Sequence, residues 1–231
     1  MDHTEGSPAL DRYERSYYFN GMAPGTKGER TRAAILDAGF HIVSKSGLEG
    51  LTIGTLAEAT GMSKSGLFAH FGSREELILA VMDRGQQEFL KLVVNPALSK
   101  PRGLPRLKTL FVEWLGWTES ADLPGGCPMI GGAIEFDDKP GVVRDALAAG
   151  QRAWIGTLTR ATRQAIEQGQ LDPATDPEQI SFELFGIALV VHHHRRLLGY
   201  EKARARALAA FEALIERHAV ASPRAKRAAS R

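Results

Sequence analysis

From residue 27 onward the apolar positions recur every three to four residues, and nowhere do apolar and polar residues alternate as in a half-buried strand. The pattern predicts an all-α protein. Thr26 and Glu29 have capping-box spacing and set the start of a first helix near Lys27. Leu36, Phe40 and Val43 follow at i, i+4 and i+7, with Ile35 and Ile42 beside them, and Ser46-Gly47 ends the stripe. Ser73 and Glu76 make a second capping box. The helix it opens runs from about Arg74 to Val94 and stops before Asn95-Pro96, with Leu77, Val81, Phe89 and Leu92 as anchors. Three prolines and a glycine from Pro96 to Pro105 read as a linker. The segment 107–118 is apolar nearly all round and belongs in a core. A short apolar helix over 129–136, a long one over about 142–168, and two last helices over about 177–198 and 201–221 bring the layout to about nine.

Residues 52–71, TIGTLAEATGMSKSGLFAHF, hold two short helical patterns separated only by Gly61-Met62-Ser63. So short a break is right for a helix-turn-helix. Ala57 and Gly61, one turn apart, leave room for two helices to cross closely. Gly61 takes the left-handed conformation that ends the first helix at little cost. Ser63 N-caps the second by accepting from the Gly66 N–H. On that second helix Leu67 and Phe71 face a core, while Lys64, Ser65, Gly66 and Ala69 fall on the opposite side. The outer side is small and lightly polar, and fits the major groove of DNA.

This stretch resembles the DNA-binding segment of the tetracycline-repressor (TetR) family of bacterial one-component transcription regulators, which typically reads A-x-x-x-G-[VM]-S-x-x-x-[LIF]-[YF]-x-[HY]-F-x-[SN]-[KR]-E-x-L. The matching residues are Ala57, Gly61, Met62-Ser63, Leu67-Phe68, His70-Phe71, Ser73, Arg74-Glu75 and Leu77. The likeness covers roughly residues 27–85. Phe68 stands where the family usually has a Tyr whose hydroxyl lies near a phosphate, and Gly54 sits inside the first helix of the pair, at a cost of roughly 1 kcal/mol against Ala.

The resemblance implies a three-helix DNA-binding head over residues 25–72 and a larger helical effector-binding and dimerisation domain over 73–221, flanked by an arm (1–24) and a basic tail (222–231). Candidate DNA contacts are Thr52, Lys64, Ser65, Gly66, Phe68, His70 and Arg74, with Arg30 and Arg32 at the opening of the first helix. The last two long helices are expected to pair with their copies in a homodimer, where Ile180, Leu184, Ile187, Ala188 and Val191 with Leu208, Phe211, Leu214 and Ile215 offer apolar surface; packing within the subunit is the alternative. Two heads about 34–36 Å apart then suit a palindromic operator. The family usually has an effector pocket in its body. Phe111, Trp114, Trp117, Met129, Glu135, Trp154, Phe182 and His193 are candidates to line one here, with plain core packing as the simpler account of the aromatic set. The implied function is a ligand-responsive transcription regulator, a repressor released from its operator by a small molecule. The alternative is a helical ligand-binding protein or enzyme whose DNA-binding head is not its main role.

Composition changes this picture little. Of the 231 residues 43% are hydrophobic, yet no apolar run reaches the length of a membrane span, and the first residues lack the apolar stretch of a signal peptide; a cytoplasmic protein is expected. The net charge of +2 is weak for a DNA binder, and over residues 27–84 seven basic and seven acidic side chains cancel, so the DNA case rests on where the cations stand. The arm carries Arg12, Arg15 and three tyrosines and either touches DNA or is an extension without a role. The stretch 195–231 holds ten Lys/Arg against three Glu, either a source of non-specific DNA affinity or a solvated end.

His192-His193-His194 is not read as a metal site, because consecutive helical side chains point about 100° apart and cannot converge on one ion. Cys127 has no Lys, Arg or His beside it to lower its pKa and reads as an inert thiol. No cofactor is expected.

Overall fold

A computed structural model describes residues 26–120 and 122–220 of the protein. Within them the chain forms nine helices: α1 (Lys27–Ser46), α2 (Ile53–Thr60), α3 (Lys64–Phe71), α4 (Arg74–Phe89 and its continuation), α5 (Leu104–Thr118), α6 (Pro128–Phe136), α7 (Val142–Glu167), α8 (Pro177–Leu198) and α9 (Ala203–Arg217). The fold is all-α, as the periodicity predicts. The one isolated β-bridge among the described residues, Leu171 to Ala219, ties the α7–α8 turn to the end of α9. The arm 1–24 and the tail 222–231 lie outside the described residues.

The caps show why the helices begin where they do. Thr26 and Glu29 form the reciprocal box, with the Glu29 N–H 3.2 Å from the Thr26 hydroxyl and the Thr26 N–H 2.6 Å from the Glu29 carboxylate. Ser73 makes only half of its predicted box. It accepts from the Glu76 N–H at 3.1 Å, but its own N–H already donates to the Phe71 carbonyl at 2.5 Å.

The long helix does not stop before Asn95. It continues through a π-helical turn, Leu90–Val94, into a last short turn, Asn95–Leu98, and the Asn95 N–H reaches back to the Leu90 carbonyl. A proline in a regular helix collides with the carbonyl four residues before it; a widened turn just ahead of Pro96 carries the chain past that obstacle. The same turn shifts the helical phase. Val93 and Val94 become buried, whereas the expected anchor Leu92 is 46% exposed. The linker is shorter than expected as well, because Pro105 lies in the first turn of α5, where its missing N–H costs nothing.

Two apolar cores result. Around α1 to α4, Leu36, Leu56, Leu67, Phe71, Leu77 and Val81 form the head core, which Val143 and Leu147 of α7 close from the body side. In the body, α5 is central, and Phe111 stacks on Phe211 of α9 at 5.2 Å. Most residues expected at a dimer seam belong to this inner core: Ile180, Leu184, Ala188, Val191, Phe211 and Leu214 are buried within the subunit, and Ile187, Leu208 and Ile215 pack against them. Helix α8 is apolar on two sides. Its outer side leaves Phe182, Leu189, Val190, Leu197 and Leu198 exposed.

Head and body meet along α1. The buried Ser44 hydroxyl donates to the Gly126 carbonyl and accepts from the Gly125 N–H, both at 3.1 Å. A β-carbon at Gly125 would fall inside the Ser44 carbonyl, which is backbone and cannot swing away. Gly125→Ala should therefore lower stability by at least about 2 kcal/mol in urea unfolding. The control Gly156→Ala on exposed α7 surface, where a β-carbon meets nothing, should leave stability unchanged or raise it by up to about 1 kcal/mol.

Candidate functional site

The tight turn between α2 and α3 is built as its residues dictate. Gly61 has φ 68 and ψ 12, and its N–H closes on the Ala57 carbonyl at 2.9 Å. The Ser63 hydroxyl accepts from the Gly66 N–H at 3.2 Å and opens α3. Leu67 and Phe71 turn inward, and Lys64, Ser65, Phe68 and Ala69 lie exposed on the outside. The Phe68 ring is half exposed. Gly66 and His70 are partly covered, and the Arg32 guanidinium lies over the Phe71 ring, 5.2 Å from its centre. Lys64 and Arg30 enter no ion pair among the described residues, so both cations point their charge at solvent; Arg84, by contrast, is held by Asp37 and Glu88 at 2.7 Å each.

Two of the candidate DNA residues have structural work of their own. Thr52 caps α2: its hydroxyl accepts from the Thr55 N–H, and its N–H donates to the Thr55 hydroxyl, each at 3.0 Å. Arg74 reaches back to the α1–α2 loop, with Nε on the Leu51 carbonyl (3.1 Å) and Nη2 on those of Leu48 (3.3 Å) and Glu49 (3.1 Å).

The same loop is gripped from the body. The Glu135 carboxylate on α6 accepts from the N–H groups of Leu48 (3.1 Å) and Glu49 (3.0 Å). Glu135 is therefore a clamp on the head. Lys139 pairs with Glu49 at 2.6 Å, and that hydrogen bond holds the Glu49 carboxyl below its ordinary pKa. Neither end of this grip was visible beforehand, since the partners are more than eighty residues apart in sequence.

A cavity of about 70 Å³ lies where α1 and α4 meet the body. Of the predicted lining residues it brings together Trp114, Trp117, Met129 and Trp154. Phe111, Phe182 and His193 are elsewhere: Phe111 faces α9, Phe182 is 74% exposed on the outer side of α8, and His193 is exposed. Phe185, one turn from Phe182 and on the inner side, takes that place in the wall. Sequence reading missed the contribution of the head, Phe40 and Val43 from α1 with Val81, Met82 and Phe89 from α4. The rings meet edge to face, Phe89 to Trp154 at 4.9 Å and Trp114 to Trp154 at 5.2 Å.

Cys127 also lines the cavity, and burial pushes its thiol pKa up, which leaves it a poor nucleophile. His192 packs against Gly126; burial, then Arg196 and His193, push its pKa down. Among the described residues no three His, Cys, Asp or Glu groups gather in a way that would hold a metal ion, and no helix is long and apolar enough to cross a membrane.

Comparison with known proteins gives a consistent result. Residues 35–81 match the profile of "Bacterial regulatory proteins, tetR family", and residues 103–211 match "Tetracyclin repressor-like, C-terminal domain". The HTH-type transcriptional repressor AcnR of Corynebacterium efficiens is 40% identical over 60 residues; the match takes in 26% of this chain and only 32% of that relative. The HTH-type transcriptional repressor ComR of Escherichia coli is 26% identical over 146 residues, 63% of this chain and 70% of the relative. Among solved structures, a TetR-family transcriptional regulator from Cytophaga hutchinsonii superposes with a TM-score of 0.75 at 20% identity, over 87% of this chain and all of that one.

Because Arg74 and Glu135 hold one loop from two sides, their removal should show as lost stability. Arg74→Ala is expected to cost about 1 kcal/mol and Glu135→Gln about 1–3 kcal/mol in urea unfolding, while Lys64→Ala changes stability by less than about 0.5 kcal/mol.

Proposed function

This chain belongs to the tetracycline-repressor family of bacterial regulatory proteins, and from that premise we propose that it is a cytoplasmic, homodimeric repressor that leaves a palindromic operator when a small molecule enters its body. The family consists of transcription regulators, which are generally not enzymes. The reading rests above all on the outer face of α3, where Lys64, in no ion pair among the described residues, stands exposed with Ser65 and Phe68 on a short capped helix. Lys64 contacts a phosphate, and Ser65 and Gly66 let the helix approach base edges. Phe68 packs on a sugar in place of a phosphate bond.

The second subunit docks on the outer side of α8, where Phe182, Leu189, Val190 and Leu197 stand exposed on one face together with His193. A symmetric operator needs two rigidly spaced heads, and among the described residues the outer side of α8 gathers more exposed large apolar side chains than any other helix. Phe182 thus belongs to the seam. Release follows from unequal affinity: an effector that prefers a body with α1 and α4 displaced draws the heads away from operator spacing, and operator DNA opposes it by the same coupling free energy.

Binding to DNA fragments from upstream of the gene and its neighbours, followed by fluorescence anisotropy against scrambled DNA, tests the reading. A tight, twofold-symmetric footprint is expected; affinity no better than for scrambled DNA from a folded dimer would count against it. Lys64→Ala should weaken binding to every DNA and reduce the slope of log affinity against log salt by about one unit. Leu197→Glu should give monomers in sedimentation and abolish operator binding while leaving the helical content of the chain intact.

A further inference from the structure

Two buried donors in the cavity wall lack an oxygen or nitrogen acceptor among the described residues. Trp117 and Trp154 are each 7% exposed; the Trp154 indole Nε1 has no hydrogen-bond partner, and that of Trp117 has only the Cys127 thiol, a weak acceptor. Buried polar groups are nearly always paired, and an orphaned N–H carries a free-energy cost that an arriving acceptor removes. Both rings meet Phe89 edge to face, at 5.7 Å for Trp117 and 4.9 Å for Trp154.

The rest of the wall narrows the chemistry further. It contains no Lys, Arg, His, Asp or Glu; its other polar side chains are the amides of Gln86 and Gln151, and Gln151 donates to the Met129 carbonyl at 3.3 Å. An ion bound here would be stripped of water with no opposite charge to meet it. The remainder is aromatic or aliphatic, with Phe40, Phe89, Trp114 and Phe185 offering ring faces and edges.

Size supplies the link to the head. About 70 Å³ is less than the ~150 Å³ that holds one benzene ring in a protein core. An aromatic occupant must therefore move a wall. The candidate wall is the crossing of α1 and α4, where the Phe40 ring lies directly on Gly85.

We propose that the effector is an uncharged, flat aromatic molecule carrying an oxygen acceptor, such as an aryl ketone or lactone, which accepts from Trp117 and Trp154 and wedges Phe40 away from Gly85. The proposal rests on the reading of this cavity as the effector site. The probes are 2-acetylnaphthalene and its anionic counterpart 2-naphthoate, titrated into the full-length protein by calorimetry. The ketone should bind saturably, and the carboxylate at least about 50-fold more weakly. Trp154→Phe and Trp117→Phe keep a ring and lose the donor. Each should weaken the ketone by about 10-fold while the thermal midpoint of the unliganded protein stays level or rises, since an unpaired donor has been removed. Equal binding of the two naphthalenes, no saturable binding of the ketone, or unchanged ketone affinity in both Phe variants would overturn the proposal. Anisotropy of operator DNA without any ligand reads the regulator proposal independently. A ketone that binds but leaves DNA affinity unchanged would support the cavity chemistry and count against release alone.

Discussion

The packing of the Phe40 ring on Gly85 is the contact on which the architecture turns. Helices α1 and α4 approach closely because Gly39 and Gly85 present no side chains at their crossing, and Phe40 then reaches both cores at once, packing in the head and lying 6.0 Å from Trp117 in the body. The head is consequently not a self-contained bundle. Its core is closed by Val143 and Leu147 of α7, and its first helix walls the internal cavity. A disturbance at that cavity therefore bears directly on the first helix of the head.

Polar contacts complement this apolar hinge by fixing where the head sits. The loop between α1 and α2 presents its N–H groups to Glu135 and its carbonyls to Arg74, so both ends of its peptide dipoles are satisfied by side chains from opposite sides. Ser44 adds a third point, buried and bonded to the Gly125-Gly126 turn in both directions. Helix α6 carries Glu135 near one end and reaches the cavity with Met129 and Ile130 near the other. One short helix thus touches both the proposed effector site and the loop that orients the head.

Features governed by near neighbours in the chain were legible from the residues. The Thr26 box, the left-handed Gly61, the Ser63 cap and the inward turn of Leu67 and Phe71 all follow from hydrogen bonds or side-chain periodicity spanning four residues or fewer. Legibility failed in two ways. Local rules competed around Pro96, where a π turn let α4 continue and rotated Leu92 outward. On α8 both sides are apolar, and periodicity cannot say which faces the subunit; Ile180 and Leu184 went inside and Phe182 stayed out.

The site divides along the same line. The sequence by itself determined an all-helical chain, a helix-turn-helix and the small, lightly polar outer face of α3, because each depends on spacing along one or two helices. Tertiary structure alone decided that Glu135 clamps the head, that Arg74 faces a loop, and that Phe40 joins Trp117 and Trp154 around a common space. Those outcomes depend on residues dozens of positions apart arriving at one place. Helix packing angles and the steric allowance of Gly39, Gly85 and Gly125 set where they arrive, and no periodicity along the chain encodes them.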